Sequence, residues 1–335
     1  MRLKFAFLGA WHGHAAMHVN EAAARPDEVE LAGFYDPEPE VVARCRKRWA
    51  EHFPRLPVFD SAEALLQSDV DAVVVEGHVY QNLDYAERAL DAGKHVLLEK
   101  PAGVDLARYK RLQKTAAAKG LVLNLAYMWR YNPAVHTALR LAREGRLGQI
   151  YAFRGHIPKP KGWHADLEDE FRVYRGGIYF EMAGHLVDIM VSLMGRPRAV
   201  HPYLRRDYGR REVVDNAVVL HEFENGIATL DMAAMQIGSA RRIEVHGTGG
   251  TAIHAPIGSP NLQLCLEEET AEFKAGWQDL ELGETGSAWS LLRELRACIE
   301  GKEPDYSAAH DLLVQETLLA GCGVEDGLAL VAGTG

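Results

Sequence analysis

Over its first 125 residues the chain alternates short β-rich apolar runs with helical patterns, and few folds can accept that order. The runs read "LKFAFLG", "VELAGFY", "DAVVVEG", "HVLLEKP" and "LVLNLAYM"; between them stand "AAMHVNEAAA", "PEVVARCRKRWAEHF", "NLDYAERALDAG" and "LARYKRLQKTAAAKG". Strands separated by helices of this length pair in parallel through right-handed crossovers, and helices then cover both sheet faces. "DAVVV" and "HVLL" are nearly continuous apolar runs, as central strands require.

From about Gln149 the pattern changes. Strand-like runs follow one another ("QIYAFRGHI", "AVHPYLRR", "VVDNAVVLHEF", "GIATLDMAA", "RRIEVHG", "LQLCLEE"), separated by turn signals such as "ENG" and "GTGG". This predicts a second, largely antiparallel open sheet, interrupted by a helix at about Tyr179 to Met194. A length of 335 residues exceeds what one core usually supports. The reading is therefore α/β plus α+β: residues 1–125 a Rossmann-type dinucleotide-binding domain, 126–335 a domain for substrate binding and oligomerisation. Two C-terminal helical patterns, "SAWSLLRELRACIEG" and "SAAHDLLVQETLLAG", could pack on either.

Composition closes other routes. A net charge of −10 without a basic stripe argues against nucleic acid. No run of about 18 apolar residues offers a membrane span. The opening "MRLKFAFLGAW" breaks at Gly9, Trp11 and His12 without a cleavage pattern, so export is not expected. Cys45, Cys265, Cys298 and Cys322 are scattered, which fits a reducing cytoplasm and builds no zinc framework.

The first strand runs into "FLGAWHGHAAMH". In a dinucleotide-binding turn one glycine makes the bend, a second admits the pyrophosphate and a third lets helix and strand pack. Gly9 holds the first place; Trp11 and His14 hold the others, with Gly13 between them. Asp36 ends the second strand 22 positions after His14 (36 − 14), near the spacing of about 20 at which a carboxylate meets the adenosine ribose. That charge favours NAD over NADP. His12, His14 and His18 raise a metal hypothesis. It is set behind a donor role of His12 and His14 toward the phosphate, and no metal is expected; His18 reads as an ordinary surface residue.

"GKHVLLEKP" places Glu99, Lys100 and Pro101 at the end of a central parallel strand, where ligands of open α/β sheets bind. An ion pair between Glu99 and Lys100 is the structural alternative. In "GGIYFEMAGHLVDIMVSLMG", Glu181, His185 and Asp188 stand at i, i+4 and i+7, on one helix face. An imidazole with flanking carboxylates supplies what proton transfer needs. A buried structural network is the alternative here, and a metal on this face lacks an obvious further ligand.

Together with "YMWRYNPAVHTALRLAREGRLGQI" and "DNAVVLHEFENGIATLDM", these segments resemble the Gfo/Idh/MocA family of nicotinamide-dependent oxidoreductases, over nearly the whole chain. The resemblance implies NAD as cofactor and a sugar, polyol or cyclitol as substrate. It implies that Lys100 touches both the substrate hydroxyl and the nicotinamide ribose beside Glu99, and that His185 does acid–base work. Glu181 stands where the family more often has aspartate, so its substrate hydroxyl would lie about 1.5 Å further away. Tyr127 and Arg130 match the crossing segment, with Arg130 a candidate cofactor or substrate contact. Two loops depart from the family pattern: the first turn has fewer glycines, and "EGHVYQN" puts Gly77 and His78 where Thr-Pro-Asn is usual. Both would face the cofactor.

These residues predict reversible hydride transfer to and from a secondary alcohol, with Lys100, His185 and Glu181 catalytic. The loop "PKPKGWHADLEDEFRVYRGG" offers Trp163, His164, Arg172 and Tyr174 for the substrate rim. The rivals are an NAD-assisted glycosidase of the same architecture and a non-catalytic sensor of NAD and a metabolite. A homo-oligomer through the exposed sheet is expected.

Overall fold

Strand β3 (Ala72–Val75) reads AVVV and all four residues are buried, so it occupies the middle of a sheet covered on both faces. Around it β1 (Leu3–Leu8), β2 (Val29–Tyr35), β4 (His95–Leu98) and β5 (Leu123–Leu125) complete five parallel strands in the order β2-β1-β3-β4-β5. The crossovers are α1 (Ala15–Ala24), α2 (Pro39–Trp49) with the short α3 (Ala62–Leu66), α4 (Val79–Asp91) and α5 (Leu106–Lys119). Phe7 and Phe34 clamp Trp49 of α2, with ring centroids 5.4 and 5.1 Å away. The chain builds outward from β1 to β2, then returns to add β3 on the other side. In open α/β sheets, ligands bind beyond the carboxyl ends of the strands at such a reversal.

This computed structural model describes residues 1–160, 167–208, 212–238, 240–283 and 288–331. The chain divides into two units: Met1–Tyr127 with Ser287–Ala308, and Met128–Gly286 with Ala309–Gly335.

In the second unit a 3-10 turn (Met128–Tyr131) leads into α6 (Pro133–Arg143). The sheet that follows has eight strands: β6 (Ile150–Pro160), β7 (Ala199–Arg205), β8 (Asn216–Phe223), β9 (Gly226–Gln236), β10 (Arg242–Gly247), β11 (Gly250–His254), β12 (Asn261–Leu266) and β13 (Gly276–Glu281). Their order is β13-β12-β11-β10-β6-β9-β8-β7. The sheet is antiparallel, as predicted, except where β6 meets β9 in parallel. Strands β11 and β13 were not anticipated: "GTAIH" is short, and β13 is a polar edge strand.

Between β6 and β7 lie α7 (Glu168–Phe171) and α8 (Ile178–Met194). Fourteen of the seventeen residues of α8 are buried, so it packs all round. On the sheet side, a Cβ at Gly155 of β6 would come within 2.6 Å of Leu186, which lets the helix lie against strand backbone. Leu186 and Met190 are fully buried, each worth about 1.5–3 kcal/mol of apolar transfer.

The two C-terminal helices part company. α9 (Ala288–Ile299) belongs to the first unit, where Arg25 and Arg296 lie over the Trp289 ring at 4.8 and 5.7 Å and Arg296 pairs with Glu28 at 3.0 Å. α10 (Ala308–Gly321) lies almost wholly in the second. Among the described residues no helix is long and apolar enough to cross a membrane.

Candidate functional site

The turn after β1 lies at the point where strand order reverses. Gly9 has φ +81°, and a Cβ there would sit 2.7 Å from the Gly77 backbone, so only glycine makes this bend beside the loop after β3. Asp36 holds the turn from the next strand end: its Oδ2 accepts the Ala10 N–H at 2.8 Å and its Oδ1 the Glu38 N–H at 3.0 Å. Burial outweighs these two bonds and raises its pKa. Each oxygen keeps a lone pair for a ribose hydroxyl.

Helix α1 begins without a side-chain cap and without an acidic residue in its first turn, which leaves its amide end to an anion. A Cβ at Gly13 would meet nothing within 4 Å. Bend, uncapped helix and Asp36 together fit a dinucleotide. On the rim Trp11 stacks on His78 at 4.2 Å, His78 bonds Glu38 at 2.8 Å, and the Arg44 guanidinium donates to the Trp11 carbonyl at 2.8 Å.

Behind the turn lie two carboxylates without solvent exposure, Glu76 after β3 and Glu99 after β4. His14 Nδ1 meets Glu99 Oε1 at 2.9 Å; His12 Nδ1 lies 3.6 Å from the same oxygen and 3.4 Å from Glu76 Oε2. His18, buried rather than on the surface, stands 3.4 Å from Glu76 Oε1. Among the described residues, nothing donates a hydrogen bond to either Glu76 oxygen or to Glu99 Oε2. Burial acts to raise the Glu99 pKa, but His14, His12 and Lys100 beside it hold it well below the usual carboxylate range. Lys100 is buried with Nζ 3.7 Å from Glu99 Oε1, and its peptide to Pro101 is cis.

In the second unit Gly177 starts α8 at φ +47°, where a Cβ would strike the Val214 carbonyl at 2.2 Å. Along the helix Glu181, His185 and Asp188 are all buried. The Trp129 ring lies nearly parallel to His185 at 4.6 Å and 19°. Tyr174 is buried, and its pKa is raised well above the ordinary value by burial and then by the charges of Glu181 and Glu170.

Arg130, expected to contact cofactor or substrate, is buried among carboxylates of its own unit. Its Nε bonds both Asp188 oxygens at 3.0 and 2.9 Å, one terminal nitrogen bonds Asp188 at 2.8 Å and also Asp311, and His310 reaches Asp188 at 2.8 Å. The reason is charge. Two buried carboxylates need a cation between them, and despite burial they hold the Arg130 pKa well above its ordinary value.

Tyr127 is fully buried in the first unit, and Arg172 is exposed and paired with Asp169 at 3.1 Å. Trp163 and His164 lie outside the described residues. Sequence reasoning missed Glu76, Trp129, His310 and Asp311. Only Glu76 carried a signal, as an acid directly following an all-apolar strand.

Residues 3–127 match the Gfo/Idh/MocA model described as an oxidoreductase family with an NAD-binding Rossmann fold, and residues 135–253 match that family's C-terminal domain. An uncharacterised oxidoreductase of Schizosaccharomyces pombe is 26% identical over 282 residues, 78% of this chain and 73% of that protein. The scyllo-inositol 2-dehydrogenase (NAD(+)) of Bacillus subtilis is 26% identical over 61% of this chain and 58% of its own length. Among solved structures, the WlbA dehydrogenase of Chromobacterium violaceum, in complex with NADH and UDP-GlcNAcA, superposes with TM-score 0.82 at 19% identity, covering 99% of this chain and 96% of that one.

Proposed function

The chain belongs to the Gfo/Idh/MocA family of oxidoreductases, and from that premise we propose that it moves a hydride between NAD and a secondary alcohol of a sugar, polyol or cyclitol. The observation that carries this reading is the buried ammonium of Lys100 at the end of β4, one strand from the order reversal. When bound, the nicotinamide accepts or returns the hydride.

The chain supplies binding, orientation and proton movement. Gly9, Gly13 and the amide end of α1 take the pyrophosphate, with Trp11, Gly77 and His78 along the rim. Asp36 takes the ribose 2′-hydroxyl and repels a 2′-phosphate, hence NAD over NADP. Lys100 Nζ and the His185 imidazole hold and pass the proton of the substrate hydroxyl, and Glu181 orients the substrate. Tyr127, Trp163, His164 and Arg172 complete the proposed substrate set. The inositol dehydrogenase relative and the sugar-nucleotide complex of the structural neighbour support the substrate class.

The four cysteines are unpaired, in accord with the cytoplasmic location this reading assumes. Tyr151, Tyr203, Val218, Ile227 and Trp277 on the second sheet are exposed and support self-association there.

Incubation with NAD and a panel of sugars, polyols and cyclitols tests the reading. NADH should appear with at least one compound, and Lys100→Met should lower turnover by about 100- to 10,000-fold while NAD affinity stays within a few fold. Release of an aglycone without NADH, or an unaffected Lys100→Met variant, would defeat it.

A further inference from the structure

We propose that His12, His14 and Glu99 bind a divalent transition-metal ion of the zinc class, with Glu76 supplying the second negative charge that neutralises it. The site lies wholly in the first unit and does not depend on the hydride-transfer reading. It gives the two imidazoles a metal-ligand role in place of the phosphate-donor role expected of them, and leaves the dinucleotide to the backbone and Asp36.

Geometry comes first. The ligand atoms of His12, His14 and Glu99 all lie within 4.8 Å of one another. A tetrahedral ion bonded at about 2.0–2.1 Å sets its ligands about 3.3 Å apart. Glu99 Oε1 stands 2.9 Å from His14 Nδ1 and 3.6 Å from His12 Nδ1, on either side of that value. Two imidazoles with one carboxylate select zinc-like ions over magnesium or calcium. Three protein ligands leave the fourth position open.

Charge gives the second, independent reason. Glu76 is wholly buried, lies 3.4 Å from His12 Nδ1, and accepts no hydrogen bond from the described residues at either oxygen. Buried carboxylates are normally hydrogen-bonded, ion-paired or metal-bound, and Glu76 has the His12 and His18 imidazoles beside it at 3.4 Å, neither of them in a hydrogen bond to it. The His12 ring edge faces both acids, with Nδ1 3.4 Å from Glu76 Oε2 and 3.6 Å from Glu99 Oε1, and a bound ion would displace the weak 3.3 Å bond that Nδ1 accepts from the His14 N–H. A cation fits between these groups. Access is open through His14, whose side chain is one-third exposed.

The grouping of Asp188, His310 and Asp311 in the second unit is the control. It has comparable spacing, but the Arg130 guanidinium is already bonded to both carboxylates.

The test uses the full chain, stripped with a chelator, reloaded with zinc and desalted, with metal content measured by mass spectrometry. About one equivalent per chain is expected, none above background in His12→Gln/His14→Gln, and wild-type content in His310→Gln. Cobalt(II) in place of zinc should give the intense visible absorption of a four-coordinate site. Glu76→Gln, a milder change, should weaken zinc affinity about 10- to 100-fold. Circular dichroism checks that each variant is folded. Wild-type protein that retains no zinc, or a folded double variant that retains as much as wild type, would overturn the site.

Discussion

Around Asp188 in the second unit, two buried carboxylates share one guanidinium and an imidazole, and the donors of Arg130 fill the space between them. Around Glu76 and Glu99 in the first, two equally buried carboxylates face three imidazoles and the Lys100 ammonium, and three of their four oxygens accept no hydrogen bond from the described residues. Both clusters hold buried acids. One is hydrogen-bonded to its counter-charge and ties the 3-10 turn, α8 and α10 together; the other has cationic groups nearby, Lys100 among them, yet keeps three oxygens without a hydrogen bond from the described residues. A closed charge cluster is architecture, whereas an incomplete one at the carboxyl ends of parallel strands is a site.

The largest effect should come from opening the closed cluster. Arg130→Met strands Asp188 and Asp311 without a cation and should cost about 3–5 kcal/mol in unfolding of the second unit, measured by chemical denaturation at neutral pH. A loss below about 1 kcal/mol would mean that the cluster is not held as the contacts imply.

A buried imidazole gives the middle case. His221, fully buried with its Nε2 3.4 Å from the Tyr179 hydroxyl, has its pKa lowered by burial from 6.5 to about 4. Because the folded value lies below the unfolded one, the native state binds fewer protons between them. Its contribution is full above pH 6.5 and falls as pH drops toward 4, by about 3 kcal/mol over the window. Wild type and His221→Leu, compared by denaturation from neutral pH down to pH 4.5, should converge as the pH falls. Parallel curves would show that His221 does not carry this dependence.

The smallest effect should come from the open cluster, with the opposite sign. Glu76→Gln removes a buried charge that accepts no hydrogen bond, so the metal-free protein should stay within about 1 kcal/mol of wild type or become more stable. A destabilisation as large as that of Arg130→Met would erase the distinction between the two clusters.

The parallel sheet was legible because β-α alternation is a local property: each run announces its element by its own periodicity, and α1 falls on the segment "AAMHVNEAAA". Gly9, Asp36 and Lys100 were legible because motif spacing places them at strand ends. The polar edge strand β13 was not, since its pairing with β12 comes from a neighbour and not from its own pattern. The carboxylate partners of Arg130 were not legible either, because nothing nearby in sequence shows that Asp188 and Asp311 will reach it.

Sequence alone thus settled the β-α alternation of the first unit, the bend at Gly9 and the family, all of which rest on neighbouring residues. Tertiary structure decided which charges meet. Glu76 and Glu99 leave adjacent strands β3 and β4 and converge on imidazoles from the turn after β1. Coulomb energy depends on distance through space, and a chain pattern does not state that distance until the sheet has closed it.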